Sequence, residues 1–286
     1  MSSLRLRFAP FALLVAISSI GFSTPAIAAP ERIITLGAAV TETVFALGAG
    51  DQVVGRDTSS TYPEAARPLP DVGYFRTISA EGVLALRPTL VLAAQGTGSA
   101  EQLALLRAST IPLLHFNAPP GLESTLALIA ETGAALHRED AAAALATNLR
   151  TELATADALR SGRPAPRALF LLGVPGGSAA QAAGDRTAAD AFLALCGADN
   201  VASGQPGYRT VSAESVLALS PDIILVGIDP AAPAHGLPDW LSSSPVGRSS
   251  RVHTIPLSHL AFGPRLGGAV LETTRLLHPA PIGSVP

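Results

Sequence analysis

Short apolar runs alternate with longer amphipathic stretches along nearly the whole chain. Ile33-Ile34-Thr35-Leu36 predicts a short buried strand, Gly37 a turn, and residues 40–47 a helix stopped by Gly48. Val53-Val54 predicts a second strand. Ser79 reads as an N-cap with Ala80 and Glu81 in the first turn, and that helix runs to Leu86 before Pro88 ends it. Residues 89–93 predict a strand, 99–108 a helix, 112–116 a strand and 122–136 a helix. The rhythm returns beyond residue 160, with strands at 168–172, 222–226 and 252–255 and helices at 187–195, 212–219 and 265–277. Such alternation predicts an α/β fold with mainly parallel sheets covered by helices on both faces. Residues 138–160 hold neither Gly nor Pro. They predict one continuous helix, about 34 Å long at about 1.5 Å per residue. The division expected is 29–137 and 161–286 as two Rossmann-like lobes joined by the single helix 138–160, after a removable leader at 1–28. A connector of that kind is stiff, so lobe closure should be small.

One phrase is written twice. Residues 73–86 read Gly-Tyr-Phe-Arg-Thr-Ile-Ser-Ala-Glu-Gly-Val-Leu-Ala-Leu, and residues 207–219 read Gly-Tyr-Arg-Thr-Val-Ser-Ala-Glu-Ser-Val-Leu-Ala-Leu. From Ser79 to Ser212 the offset is 133 positions, far beyond solenoid periods of about 20–50 residues. The repeat predicts two similar lobes, and a cleft between lobes is where small ligands bind. Two of the chain's three tyrosines, Tyr74 and Tyr208, fall at matching places in it. Loops at the carboxyl ends of strands face such a cleft. In an extended loop Arg76 would leave on the same side as Tyr74. A fixed cation beside a phenol favours its anionic form; a phenolate suits ferric iron, and guanidinium groups suit carboxylates. The same residues also read as a loop tyrosine that packs its ring and hydrogen-bonds its hydroxyl to backbone. Glu81 and Glu214 each stand two positions past a serine N-cap. They either complement the helix dipole or present a symmetric pair of negative knobs to a two-fold transporter carrying arginines.

Composition narrows the function classes. The formal charge is −3, charged residues make up 14%, and no Lys/Arg cluster occurs, which excludes a nucleic-acid partner. Arg5 and Arg7, the apolar run 11–22 and Ala26-Ile27-Ala28 read as a secretory signal with its cleavage site. The apolar run is short of the roughly 20 residues that span a bilayer, and no Cys follows it to carry a lipid. A periplasmic chain that is exported free and not membrane-inserted is therefore expected. Cys196 is the sole cysteine and reads as a buried, inert thiol on a helix. No HExxH, CxxC, GxSxG or complete phosphate loop is present, and no catalytic constellation emerges.

Several phrases together resemble a known family. Arg32-Ile33-Ile34-Thr35-Leu36-Gly37, Val40-Thr41-Glu42, Leu47-Gly48-Ala49-Gly50, Val54-Gly55, Asp57, Tyr62-Pro63 and Leu69-Pro70-Asp71-Val72-Gly73-Tyr74 are similar to the N-lobe of periplasmic haemin-binding proteins of ABC importers. Gly184-Asp185-Arg186-Thr187-Ala188-Ala189-Asp190 and Phe262-Gly263-Pro264-Arg265 resemble the same family. The general two-lobed pattern is shared with siderophore- and cobalamin-binding relatives. The resemblance implies Tyr74 as axial ligand to ferric haem with Arg76 beside it. It implies Arg265 near the haem face or propionates, leaves Tyr208 and Arg209 as further pocket candidates, and implies that Glu81 and Glu214 dock on permease arginines. Some members hold a second haem through a histidine in the loop after the first strand of the C-lobe. Here that loop reads Leu172-Gly173-Val174-Pro175-Gly176-Gly177, which implies a single haem. The expected function is capture of haem by a monomer and its delivery to an inner-membrane ABC permease. A ferric-siderophore or cobalamin carrier is the alternative, and an enzyme acting on a tetrapyrrole a more distant one.

Overall fold

The structure is a computed structural model that describes residues 31–117, 119–173, 180–229 and 239–279. The leader with its cleavage site, most of the loop after residue 172 and the last seven residues lie outside these. The first lobe runs β1 (Ile33–Leu36), α1 (Ala38–Ala46), β2 (Val53–Arg56), α2 (Ala80–Ala85), β3 (Leu90–Ala93), α3 (Ala100–Ala108), β4 (Leu113–His115) and α4 (Leu122–Ala135). Its sheet has the order β2-β1-β3-β4 and is parallel at every pairing. Strands β1 and β3 are buried along their full length, as strands covered by helices on both faces must be.

Helix α5 (Glu139–Arg160) carries the chain to the second lobe. There follow β5 (Arg167–Gly173), β6 (Ala180–Ala183), α6 (Ala188–Leu195), β7 (Asp199–Asn200), β8 (Tyr208–Val211), α7 (Ala213–Leu219), β9 (Ile223–Ile228), α8 (Asp239–Ser243), α9 (Pro245–Ser249), β10 (Arg251–Pro256) and α10 (Leu266–Leu277). The second sheet has the order β10-β9-β5-β6-β8, with β7 beside β5. Its β5, β7, β9 and β10 are parallel, whereas β6 and β8 run antiparallel. This sheet is therefore mixed. Residues 180–183, Ala-Gln-Ala-Ala, have little intrinsic strand tendency; pairing with β5 and β8 makes them a strand.

The repeated phrase folds differently in its two copies. In the second, Tyr208 to Val211 is extended because it pairs with β6. The first lobe has no counterpart of β6, and there Phe75–Thr77 forms a turn of 3-10 helix with Tyr74 at its N-cap. The downstream helices coincide closely. Arg32 Nη2 donates to the Leu86 carbonyl at 2.8 Å, and Arg167 Nη2 donates to the Leu219 carbonyl at 2.8 Å. An arginine at the start of each lobe's first strand thus holds the C-terminal end of α2 or α7, satisfying carbonyls that a helix end leaves free.

One hydrophobic core runs through both lobes. It joins Leu126 and Ile129 of α4, Leu149 and Leu153 of α5, and Phe170, Phe192, Ile223 and Val270 of the second lobe.

Candidate functional site

The carboxyl ends of both sheets converge. Gly37 follows β1, Ser59 and Tyr62 follow β2, Ala94 follows β3, Phe116 follows β4, Asp229 follows β9, and Leu257, Leu260 and Phe262 follow β10; all of them line two depressions. This is the position at which open α/β sheets bind ligands. The two depressions share Ala38, Ser59, Leu260 and Ala261 and so form one cleft. The part lined by Phe75, Arg76, Phe116, Leu128 and Phe262 measures about 320 Å³. The part lined by Glu42, Tyr62, Arg67, Tyr74 and Arg265 measures about 680 Å³.

Polar anchors hold the loops of this cleft. Asp57 is fully buried. It accepts the Gly37 amide at 2.8 Å, the Ser59 amide at 2.9 Å and the Ser59 hydroxyl at 2.5 Å. The turn between β1 and α1 is thereby tied to the loop after β2. Asp71 does the same one loop further on. Its carboxylate accepts the Gly73 amide at 2.8 Å, the Thr58 hydroxyl at 3.0 Å and Arg56 Nη1 at 3.0 Å. Gly73 has φ 95°, a conformation that an L side chain would oppose. Tyr74 is the next residue, so its backbone is set by this turn.

Tyr74 is 45% exposed and lines the larger part of the cleft. Its ring meets Phe75 edge-on at 5.0 Å. The guanidinium of Arg76 lies over the Phe75 ring, 4.9 Å from its centroid. A Cβ at Gly96 would come 2.7 Å from Arg76 Nη1, so the glycine leaves room for that guanidinium. Among the described residues Arg76 makes no hydrogen bond or ion pair. Tyr74 and Arg76 are not side by side on an extended strand; the 3-10 turn places Phe75 between them.

Arg265 lines the same cavity and is paired with Glu42. Its Nε donates to Glu42 Oε2 at 2.9 Å and its Nη2 to Glu42 Oε1 at 2.6 Å. Those bonds to Glu42 raise its pKa further above the ordinary guanidinium value. Its carbon Cζ sits 3.8 Å from the centroid of the Tyr62 ring. Glu42 and Tyr62 escaped sequence reasoning. Glu42 was legible only as a lone acid on an apolar helix, and its partner lies 223 positions away.

The remaining candidates are not in the cleft. Tyr208, 36% exposed, lies beside the Thr187 hydroxyl and the Ala189 amide at the start of α6. Burial raises its pKa, against the pull of those two donors. Arg209 leaves the opposite face of β8, as strand neighbours must, and lines a separate cavity of about 220 Å³ with Ala182, Val201 and Ser215. Glu81 and Glu214 are exposed in the first turns of α2 and α7. Among the described residues no group of three or more His, Cys, Asp or Glu side chains could hold a metal ion.

A family model described as periplasmic binding protein matches residues 33–245. The periplasmic heme-binding protein RhuT from Roseiflexus sp. RS-1, in apo form, is 37% identical with a TM-score of 0.78, over 87% of this chain and 98% of that one. The periplasmic heme-binding protein BhuT, in complex with two hemes, is 38% identical with a TM-score of 0.77, over 87% and 98% of the two chains. A vitamin B12-binding protein of Pectobacterium carotovorum subsp. carotovorum (strain PC1) is 30% identical over 211 residues, which cover 72% of this chain and 75% of that one.

Proposed function

Because the chain belongs to the periplasmic binding protein family, we propose that it captures ferric haem in the cleft between its lobes and delivers it to the permease of an ABC importer. The family is one of transport proteins rather than enzymes. In this reading haem is cargo and leaves chemically unchanged.

One observation carries the reading, the sorting of the three tyrosines. Tyr62 has its ring covered by Arg265. Tyr208 has its hydroxyl against the start of α6 and its pKa raised by burial. Tyr62 lines the same cavity, so what marks Tyr74 is a ring face clear of Arg265 and, two residues away, a guanidinium that makes no hydrogen bond or ion pair among the described residues. A phenolate is a haem-iron ligand type, and Arg76 would take a propionate as a charge-assisted pair. Phe75, Phe116, Leu128, Leu257, Leu260 and Phe262 give the cleft apolar walls. A porphyrin face buried against them gains about 25 cal/mol per Å². One haem per chain is proposed, since the loop after β5 holds no histidine. The likeness to two heme-binding proteins at 37% and 38% identity supports the same cargo.

Cobalamin is the second reading, and the 30% identical vitamin B12-binding relative favours it. The corrin periphery carries amides rather than carboxylates, so it would leave Arg76 without an anionic partner.

Delivery is proposed to use Glu81 and Glu214 against arginines of the permease. Arg32 and Arg167 brace the helices that carry these acids in the same way, so both lobes offer an equivalent acidic corner. Among the described residues no helix is long and apolar enough to cross a membrane.

An absorbance titration of the purified chain with haemin, run beside cyanocobalamin, tests the cargo. Haemin should bind at one equivalent with a shifted Soret band. Tyr74→Ala should weaken it at least tenfold, about 1.4 kcal/mol. Equal affinity in the variant, or binding of cyanocobalamin alone, refutes the assignment.

A further inference from the structure

We infer that Arg265 is reserved for Glu42 rather than for a ligand, and that the two form a latch between the lobes with Glu42 as its positioning residue. The Glu42 side chain, on α1 of the first lobe, is only 3% exposed. A buried carboxylate is tolerated when it is paired and hydrogen-bonded. Arg265, the residue that caps α10 of the second lobe, supplies both of its bonds in bidentate form. Its other face is taken by Tyr62 of the first lobe. The guanidinium thus spends two of its donors and one π-face on residues of the opposite lobe.

The neighbouring residues are fitted to the same contact. Gly263 packs so closely on α1 that a Cβ there would lie 3.2 Å from Ala39 Cα. The Thr125 hydroxyl of α4 donates to the Phe262 carbonyl at 3.0 Å in a buried setting. Residues 262, 263 and 265 therefore each meet the first lobe. A ligand carboxylate that drew Arg265 away would leave Glu42 buried without a counter-ion, a state more costly than the new contact is favourable. Arg76, whose guanidinium makes no hydrogen bond or ion pair among the described residues, is then the anion site. Separating the lobes has a different consequence. It lets water reach Glu42 and replaces the lost ion pair by hydration, so a permease that pries the lobes apart meets a latch that weakens as it opens.

The first test needs no ligand. Amide hydrogen exchange is measured on the ligand-free full chain, on Glu42→Gln, which keeps the shape and removes the charge, and on Arg265→Lys, which keeps the charge and loses the bidentate fork. Peptides from 38–47 and from 262–270 should exchange at least tenfold faster in both variants, while β5 stays protected. The double variant should be no faster than the faster single one. Unchanged exchange in either peptide group overturns the latch. Arg265 is 38% exposed, so its variant carries the test alone should Glu42→Gln fail to fold.

The second arm rests on the haem reading and compares haemin with its dimethyl ester. Arg265→Gln should weaken both by the same factor, through loss of a fixed cleft wall. Arg76→Gln should abolish the preference for haemin over the ester. Loss of that preference in Arg265→Gln would place a carboxylate on Arg265 and overturn the inference. Haemin that fails to bind the wild-type chain sinks the haem reading only, and the exchange arm still decides the latch.

Discussion

Serine hydroxyls cap the helices that carry Glu81 and Glu214, and both acids remain exposed. The Ser212 hydroxyl accepts the Ser215 amide while the Ser215 hydroxyl accepts the Ser212 amide, at 3.3 and 2.9 Å. On α2 the Ser79 hydroxyl accepts the Gly82 amide at 3.5 Å, and Gln102 accepts the Ala80 amide at 2.7 Å. The Ser212 side chain also holds the Glu214 carboxyl below the ordinary carboxylate range, so that acid is ionised wherever the protein works. Sequence alone left the capping and docking roles of these acids equally open, and docking is the role proposed for them here. Replacing both acids by alanine should leave haemin affinity within twofold and abolish uptake in cells or reconstituted vesicles carrying the cognate importer. Normal uptake by the double variant would remove these residues from the docking surface. Cys196 illustrates the reverse case, a residue fully legible from its neighbours. It is buried at the end of α6, and burial pushes its thiol up to about 12, which makes it inert as its apolar surroundings indicate.

At the scale of elements, periodicity located the longer parallel strands and the helices between them within one or two residues, and missed the two-residue β7 and the short α8 and α9. Buried parallel strands are continuous apolar runs and caps are short-range chemistry, so both are written locally. Strands β6 and β8 were missed because their extended form comes from pairing with one another rather than from composition. The crossing of α5 and α10 was equally invisible, and it supplies a sharp contrast between adjacent glycines. At Gly267 an added Cβ would lie 2.9 Å from both the Leu149 carbonyl oxygen and Glu152 Cβ. The helices would have to move apart, at about 1–3 kcal/mol for overpacking, against about 1 kcal/mol gained by removing a helix-interior glycine. At Gly268 the nearest atom is a Glu152 carboxylate oxygen at 3.7 Å, an ordinary contact, so only the gain remains. Gly267→Ala should therefore lower the urea midpoint and Gly268→Ala should raise it. A rise for both would show that α5 and α10 have slack at their crossing.

Across the whole molecule, burial of histidine couples stability to pH. His115, His253, His259 and His278 all have pKa values lowered below 6.5, in each case mainly by burial. Arg107 faces His115, Arg251 faces His253, and Arg163 and Arg160 face His278, each pushing the same way. At His259, Glu272 opposes the effect while Arg265 adds to it. One ring nitrogen each of His115, His259 and His278 is buried without a hydrogen-bond partner among the described residues, while backbone hydrogen bonds at Ala94 and at Gly197 and Cys196 offset part of the effect at His115 and His278. The folded state thus binds fewer protons than the unfolded chain between 6.5 and the lowered values. Stability is fully present above about pH 6.5 and is lost as pH falls through that window. His259 lies against Glu272 of α10 and Phe192, and His278 caps the end of α10, a helix whose apolar face packs into the core that both lobes share, so their titration acts on the joint structure rather than on one lobe. Urea midpoints measured at pH 7.5 and 5.5, above the range where carboxylates protonate, should fall on acidification. A His259→Gln/His278→Gln variant should show a distinctly shallower fall. Identical slopes for the two proteins, or a midpoint that rises with acid, would mean that these rings gain a proton as readily in the fold as in water.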